Sequence, residues 1–171
     1  NDGTVSPSVI LKCSALAAQE HGDARKALDL LRVAGELVER EGEKKITTKH
    51  IDRAEERLDT DRVTTVISSQ PKQSQAVLAA IINLADKGQR NVQTGDVFSV
   101  YEGICSNRGL KVLTQRRVSD LIAELDMLGI INARVISKGR YGRTKEIRTQ
   151  LGKPTLKRIR KILADSYLLT D

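Results

Sequence analysis

Residues 137–148, SKGRYGRTKEIR, break a chain that is otherwise patterned for helices. They set Lys138, Arg140, Arg143, Lys145 and Arg148 around Gly139, Tyr141 and Gly142, with Glu146 as the one acid. Apolar residues alternate on either side, Ile131, Ala133 and Val135 before and Ile147 after. Alternation flanking a polar, Gly-containing stretch predicts a β-hairpin, with strands over 130–136 and 145–149. A tip this cationic is too polar for a core and suits a polyanion, nucleic acid first.

The rest of the chain reads as capped helices. Ser6-Pro7 starts one, with Ser as N-cap and Pro at the first helical position, and Val9, Ile10, Cys13, Leu16 and Ala17 recur at helical spacing up to Gly22. Asp23 caps a second helix through about Glu41, with Ala27, Leu28, Leu31, Ala34, Leu37 and Val38 on one face. A third follows ITT (46–48), with Ile51, Ala54 and Leu58 inward. SSQP (68–71) ends this part, because Pro71 disfavours helical geometry at Gln70. The predicted organisation is a helical domain over 1–60, a linker or connecting helix over 61–71, and a second domain over 72–171.

That second domain opens with a helix over 72–86 and continues with one capped by Thr94 and Asp96, carrying Val97, Val100, Tyr101 and Ile104 and ending near Gly109. Thr114 caps the next, with Val118, Leu121, Ile122, Leu125 and Leu128 inward and Gly129 as terminator. The hairpin follows, and Pro154 starts a last helix. Three helices, a two-stranded hairpin and a closing helix is the order of a winged helix-turn-helix. The expected fold class is therefore mainly α, a helical domain followed by a winged helix with a two-stranded β-hairpin wing.

Charge divides along the same line. Residues 1–68 hold 11 Lys and Arg against 13 Asp and Glu, a net of −2, whereas residues 69–171 hold 18 against 9, a net of +9. Eleven of those cations lie in 130–161, opposed only by Glu146. Such imbalance gives the second domain alone a polyanion partner. With no Trp and one Phe in 171 residues, the core must be aliphatic, which suits packed helices. No apolar run is long enough to cross a bilayer, so no membrane partner is expected. The opening NDGTVSPS lacks an initiator Met, and the chain reads as a fragment of something longer. Cys13 and Cys105 lie far apart inside apolar helical patterns and read as small buried hydrophobes of a reducing compartment.

The helix capped by Thr114 uses its inward stripe on the core, which leaves Gln115, Arg116, Ser119, Asp120 and Ala123 outward and Arg117 at the flank. Gln, Arg and Ser at a helix N-terminus are the types that reach base edges and phosphates in a major groove. A charged outer face is commonly just solvated; the basic hairpin that follows directly favours DNA contact. Thr114, Gln115, Arg116, Arg117 and Ser119, with Lys138, Arg140, Tyr141, Gly142, Arg143 and Lys145, are the candidate DNA-binding residues. Arg140 and Arg143 would flank a backbone or enter a narrow minor groove.

In the first domain, HGDARKALDLL places Arg25 in the first turn of a helix, where a cation is locally unfavourable. Asp23, Asp29 or an external anion would offset it. GDARKALDLLRVAGELVEREG (22–42) resembles the lid-domain helix bearing the sensor-2 arginine of AAA+ ATPases. More narrowly, it is similar to archaeal replication initiators of the origin-recognition and cell-division-control family, which the winged helix and its GRYGRT wing (139–144) also match.

The resemblance implies that Arg25 approaches the terminal phosphate of ATP in a complete initiator, with ATP or ADP and Mg²⁺ as the parent's cofactors and none in this fragment. It implies double-stranded origin DNA, other initiator molecules and the replicative helicase as partners, and a cytoplasmic, nucleoid-associated location. The chain has no G-x-x-x-x-G-K-[ST] loop, so it is not expected to be an enzyme by itself. His21 and His50 show no metal-site spacing and are expected to cap or to lie at the surface. Two other readings remain at this point, the lid and winged helix of a AAA+ DNA motor and a winged-helix transcription regulator.

Overall fold

A computed structural model describes residues 5–19, 24–89, 91–137, 139, 143–149, 151–166 and 168–169. Among these lie seven helices and three strands, and the chain divides into two compact units, Asn1–Arg62 and Val63–Asp171. Because residues 63–68 carry no charge, the −2 and +9 of the sequence belong to these two units.

The first unit comprises α1 (Pro7–Gln19), α2 (Ala24–Glu41) and the first part of α3 (Thr48–Ser69). The Ser6 carbonyl takes the amides of Val9 and Ile10, which closes the first turn of α1 as Ser-Pro predicts. Val9 and Cys13 pack with Leu30, Val33, Ala34, Leu37, Ile51 and Ala54 in an aliphatic core. The buried stripe of α2 keeps the predicted Ala34, Leu37 and Val38 and adds Leu30 and Val33 in its first half. Leu28, expected inward, is 66% exposed. Leu30 and Val33 extend the shared Ala34-Leu37-Val38 stripe as well as Ala27 and Leu28 would at helical spacing, and packing against α1 selects between them.

Of the two roles expected for His50, capping and surface, it takes the first. It is buried, and its Nδ1 accepts the Thr47 N–H at 3.1 Å, the reciprocal arm of a capping box at the start of α3. Nε2 is then the protonated nitrogen of the neutral ring and faces Glu41 Oε2 at 3.3 Å and Glu43 Oε2 at 3.6 Å. Arg53 holds the other Glu41 oxygen at 2.5 Å and keeps that carboxyl below its ordinary range. The potential ligand atoms of Glu41, Glu43 and His50 lie within 4.8 Å of one another, and Glu41 is shared with Arg53.

The stretch 61–71 is helical through Ser69. Gln75 closes the last turn of α3, its Nε2 donating to the carbonyls of Ile67 and Gln70 at 3.1 Å. The rest of the second unit is α4 (Lys72–Asp86), β1 (Val92–Gln93), α5 (Thr94–Arg108), α6 (Gln115–Met127), β2 (Ile131–Ser137), β3 (Arg143–Thr149) and α7 (Lys153–Asp165). Every residue of α4 from Ser74 to Ile82 is buried. Around it pack Val97, Tyr101 and Cys105 of α5, Val118, Leu121, Ile122 and Leu125 of α6, Ile147 of β3, and Ile159 and Leu163 of α7.

The two-stranded β2–β3 hairpin of the wing is present, and β1 adds a third strand at its root to give an antiparallel sheet in the order β1-β3-β2. Two residues of β1, Val92 and Gln93, pair with Ile147 and Glu146. This moves the cap of α5 one residue back from Thr94 to Gln93, whose N–H is accepted by Asp96 at 2.8 Å. The β2–β3 ladder runs from Ile131↔Thr149 to Ser137↔Arg143, two residues further toward the tip on the β3 side than predicted. Arg143 and Thr144 therefore join Lys145 as strand residues and are not tip residues. Leu128, assigned inward, is 45% exposed, since the helix ends before it and Gly129, at φ +70°, turns the chain so that Ile130 enters the core instead.

Both cysteines are buried free thiols, raised above their ordinary range by burial. Among the described residues, no helix is long and apolar enough to cross a membrane.

Ile122 has no exposed surface, so Ile122→Ala should cost about 2–5 kcal/mol in chemical denaturation, whereas Met127→Ala, at an 81% exposed position, should change stability by less than about 0.5 kcal/mol. Burial pushes the Tyr101 phenol up to about 12. An unfolded tyrosine releases its proton near pH 10, so the native state retains more protons than the unfolded state above that pH. Stability should fall as pH rises from about 10 toward 12, and spectrophotometric titration should show one phenol ionising only near 12.

Candidate nucleic-acid interface

The core fixes what α6 presents outward. With Val118, Leu121, Ile122 and Leu125 buried, Gln115, Arg116 and Arg117 are exposed and Ser119 is half-buried. The hydroxyl of Thr114 accepts the Arg117 N–H at 3.3 Å, which makes it the N-cap the sequence predicts. The amides of Gln115 and Arg116 have no helical acceptor, so they and the helix dipole face outward with no acid in the first turn.

Gln115, Arg116 and Ser119 of α6 line one open groove of about 400 Å³ with Arg143, Thr144 and Lys145 of β3 and Val135 of β2. Thr94 and Gly95, in the first turn of α5, complete it. Three cations and no carboxylate line this groove, where a phosphate would meet Arg116 and Arg143 as charge-assisted donors. The two helix N-termini are not equivalent. Asp96 already places a carboxylate at the start of α5, while α6 has none, so α6 is the better anion site.

Two of the predicted residues have structural tasks. Lys145 is half-buried, and its Nζ donates to the carbonyl of Ser119 at 2.9 Å, which ties β3 to the middle of α6. Arg117 lies back along its helix, with Nη1 at 3.1 Å from Glu124 Oε1, so much of its charge is met locally. Asp126 makes a second tie, its Oδ1 accepting the Ala133 N–H of β2 at 2.9 Å. These bonds hold the ribbon against the helix and fix the width of the groove between them.

Lys138, Arg140, Tyr141 and Gly142 lie outside the described residues. Gly139 adopts φ +58°, a left-handed geometry that glycine takes without strain. Sequence reasoning missed Thr94, Gly95, Val135 and Thr144. The Gln93-to-Asp96 capping box was the available signal for the first two. Val135, 59% exposed, looks from its alternation with Ile131 and Ala133 like a core residue. Arg25 belongs to the first unit, exposed in the opening turn of α2.

Comparison with known proteins agrees with both units. Residues 65–158 match the family described as CDC6, C terminal winged helix domain, and residues 1–56 match the Cdc6 AAA+ ATPase-type lid domain. An ORC1-type DNA replication protein of Thermococcus onnurineus is 57% identical over 148 residues, covering 86% of this chain and 36% of that protein. Its counterpart in Pyrococcus furiosus is 55% identical over 165 residues, covering 96% and 39% respectively. The chain thus spans less than half the length of these curated relatives. The structure of the Aeropyrum pernix ORC1 protein in complex with DNA superposes with a TM-score of 0.85 at 42% identity, over 98% of this chain and 43% of that one. With a lid-type helical unit followed by a winged helix, and both matched by their own profiles, the chain belongs to the Cdc6 family of ORC1-type DNA replication initiators.

Proposed function

We propose that the second unit binds double-stranded DNA at replication origins as the C-terminal part of an ATP-dependent initiator. The observation that carries this reading is the cationic groove between α6 and β3, where Gln115, Arg116 and Ser119 come together with Arg143 and Lys145. In this reading α6 enters the major groove with Gln115 and Arg116 foremost, and its N-terminal amides take a phosphate. The β2–β3 ribbon follows the backbone, bringing Arg143 and, further along, Lys138, Arg140, Tyr141 and Gly142 toward the minor groove. The DNA complex of the related Aeropyrum pernix protein supports the assignment.

Arg25 belongs to the nucleotide side of the proposal. In a protein that also carries the ATPase domain, its guanidinium would stabilise charge on the terminal phosphate of ATP held with Mg²⁺, and couple the lid to nucleotide state. Other initiator molecules and a replicative helicase to be loaded are the partners this role calls for. The chain itself would be the DNA-binding part of that ATPase.

Neutralising roughly five to seven phosphates gives a log–log salt slope of about −4 to −6 for duplex binding, measurable by fluorescence anisotropy. Arg116→Ala combined with Arg143→Ala should flatten the slope by about two and weaken binding; an unchanged slope removes the groove from the interface. In a protein with the ATPase domain, Arg25→Ala should slow ATP turnover on the order of a hundredfold in a phosphate-release assay, with duplex affinity of the winged helix retained.

A further inference from the structure

The loop joining α5 to α6 forms no helix or strand, and two side chains from outside it satisfy its backbone. Tyr101, in the middle of α5 and fully buried, accepts the Leu113 N–H at its hydroxyl at 3.1 Å. The same hydroxyl donates to Oε1 of Gln73, in the first turn of α4, at 2.5 Å. Gln73 then donates from Nε2 to the carbonyl of Lys111 at 2.9 Å. The amide orientation that lets the phenol donate is also the one that gives the Lys111 carbonyl a donor, so every polar atom of the bridge is matched. Burial pushes the phenol up to about 12, and it keeps the proton it donates throughout the neutral range.

The bridge ends one residue before Thr114, the N-cap of α6. An aliphatic stripe such as Val118, Leu121, Ile122 and Leu125 sets the rotation of a helix about its axis more tightly than its slide along that axis, because hydrophobic contact has no direction. Hydrogen bonds are directional; those to Ser119 and Asp126 tie α6 to the ribbon, and the bridge adds a constraint at the end of α6 that carries Gln115 and Arg116. We propose that Gln73 and Tyr101 are positioning residues for DNA binding, whose shared bridge to the Lys111 carbonyl and the Leu113 amide sets the register in which α6 offers Gln115 and Arg116 to the duplex. The inference rests on the DNA-reading role of α6 given above. Neither residue touches DNA in this arrangement; both act through the loop.

Gln73→Met keeps the side-chain length and removes both hydrogen bonds, and Tyr101→Phe removes only the hydroxyl. The test compares the full chain with both variants and their combination. The probes are short duplexes enriched from a random pool by the unaltered chain, and mixed-sequence duplex alongside. Expected is a loss of about tenfold in affinity for the enriched duplex, faster amide exchange at Leu113, and unchanged affinity and salt slope on mixed-sequence duplex. The combined variant should lose no more than the larger single loss, since both substitutions break one bridge.

A lowered melting temperature with unchanged affinity for the enriched duplex overturns the proposal and leaves a merely structural pair. If Gln73→Met does not fold, Tyr101→Phe and Gln73→Glu, which keeps the acceptor for the phenol, carry the same comparison. Arg116→Ala separates the two levels. If it leaves enriched-duplex affinity unchanged, the reading of α6 falls and the positioning role with it. If it weakens binding while Gln73→Met and Tyr101→Phe do not, only the positioning role falls.

Discussion

The second unit depends on the burial of α4. From Ser74 to Ile82 this helix has no solvated face, so it can exist only as the centre of a shell, and α5, α6, the sheet and α7 are that shell. Its alanines, Ala76, Ala79 and Ala80, let neighbours approach closely, while Leu78, Ile81 and Ile82 fill the gaps between them. A chain with a single Phe has few alternatives: with Tyr101 as the one fully buried ring among the described residues, a mainly aliphatic core gains its density by surrounding one small-faced helix. The outward face of α6 follows, because a helix whose stripe is committed to α4 has no freedom left in which residues it shows to solvent.

Charge is balanced more completely in the first unit than in the second, which also has ion pairs such as Arg117–Glu124 and Arg160–Asp86 but keeps a large positive excess. In the first, cations meet acids of the same unit: Lys12 with Asp52, Arg32 with Glu36, Arg53 with Glu41. Exposed pairs of this kind contribute little to stability. Their effect is to leave that surface nearly neutral to a distant polyanion. In the second unit, the groove between α6 and β3 gathers Arg116, Arg143 and Lys145 with no acid among its lining residues, a field that attracts phosphate before any specific contact forms.

Most of the helices were legible because their ends are marked by chemistry: Ser6-Pro7, Thr114, Pro71 and the left-handed glycines Gly109 and Gly129. Periodicity was a poorer guide where two stripes compete, as with Leu28 against Leu30 in α2, since only the neighbouring helix decides. β1 was invisible because a two-residue strand has no period; it exists through its pairing with Ile147 and Glu146. At the interface, residue types on α6 were readable, but their local partners were not. Lys145 bonding the Ser119 carbonyl and Arg117 lying along Glu124 depend on which side chains happen to be within reach, and sequence spacing does not encode that.

The short strand β1 also divides the wing mechanically. It backs β3 only at Glu146 and Ile147, so the ribbon is three strands wide at its root and two strands wide from Lys145 outward. Resistance to bending rises steeply with the width of a sheet, and isolated two-stranded ribbons are marginal alone. Any deformation imposed on the wing by a curved polyanion is therefore concentrated beyond Lys145, itself tied to α6, where Ile136 pairs with Thr144 and Ser137 with Arg143. The root keeps its register on the core while the outer ribbon conforms, much as a cantilever clamped at one end deflects along its free length.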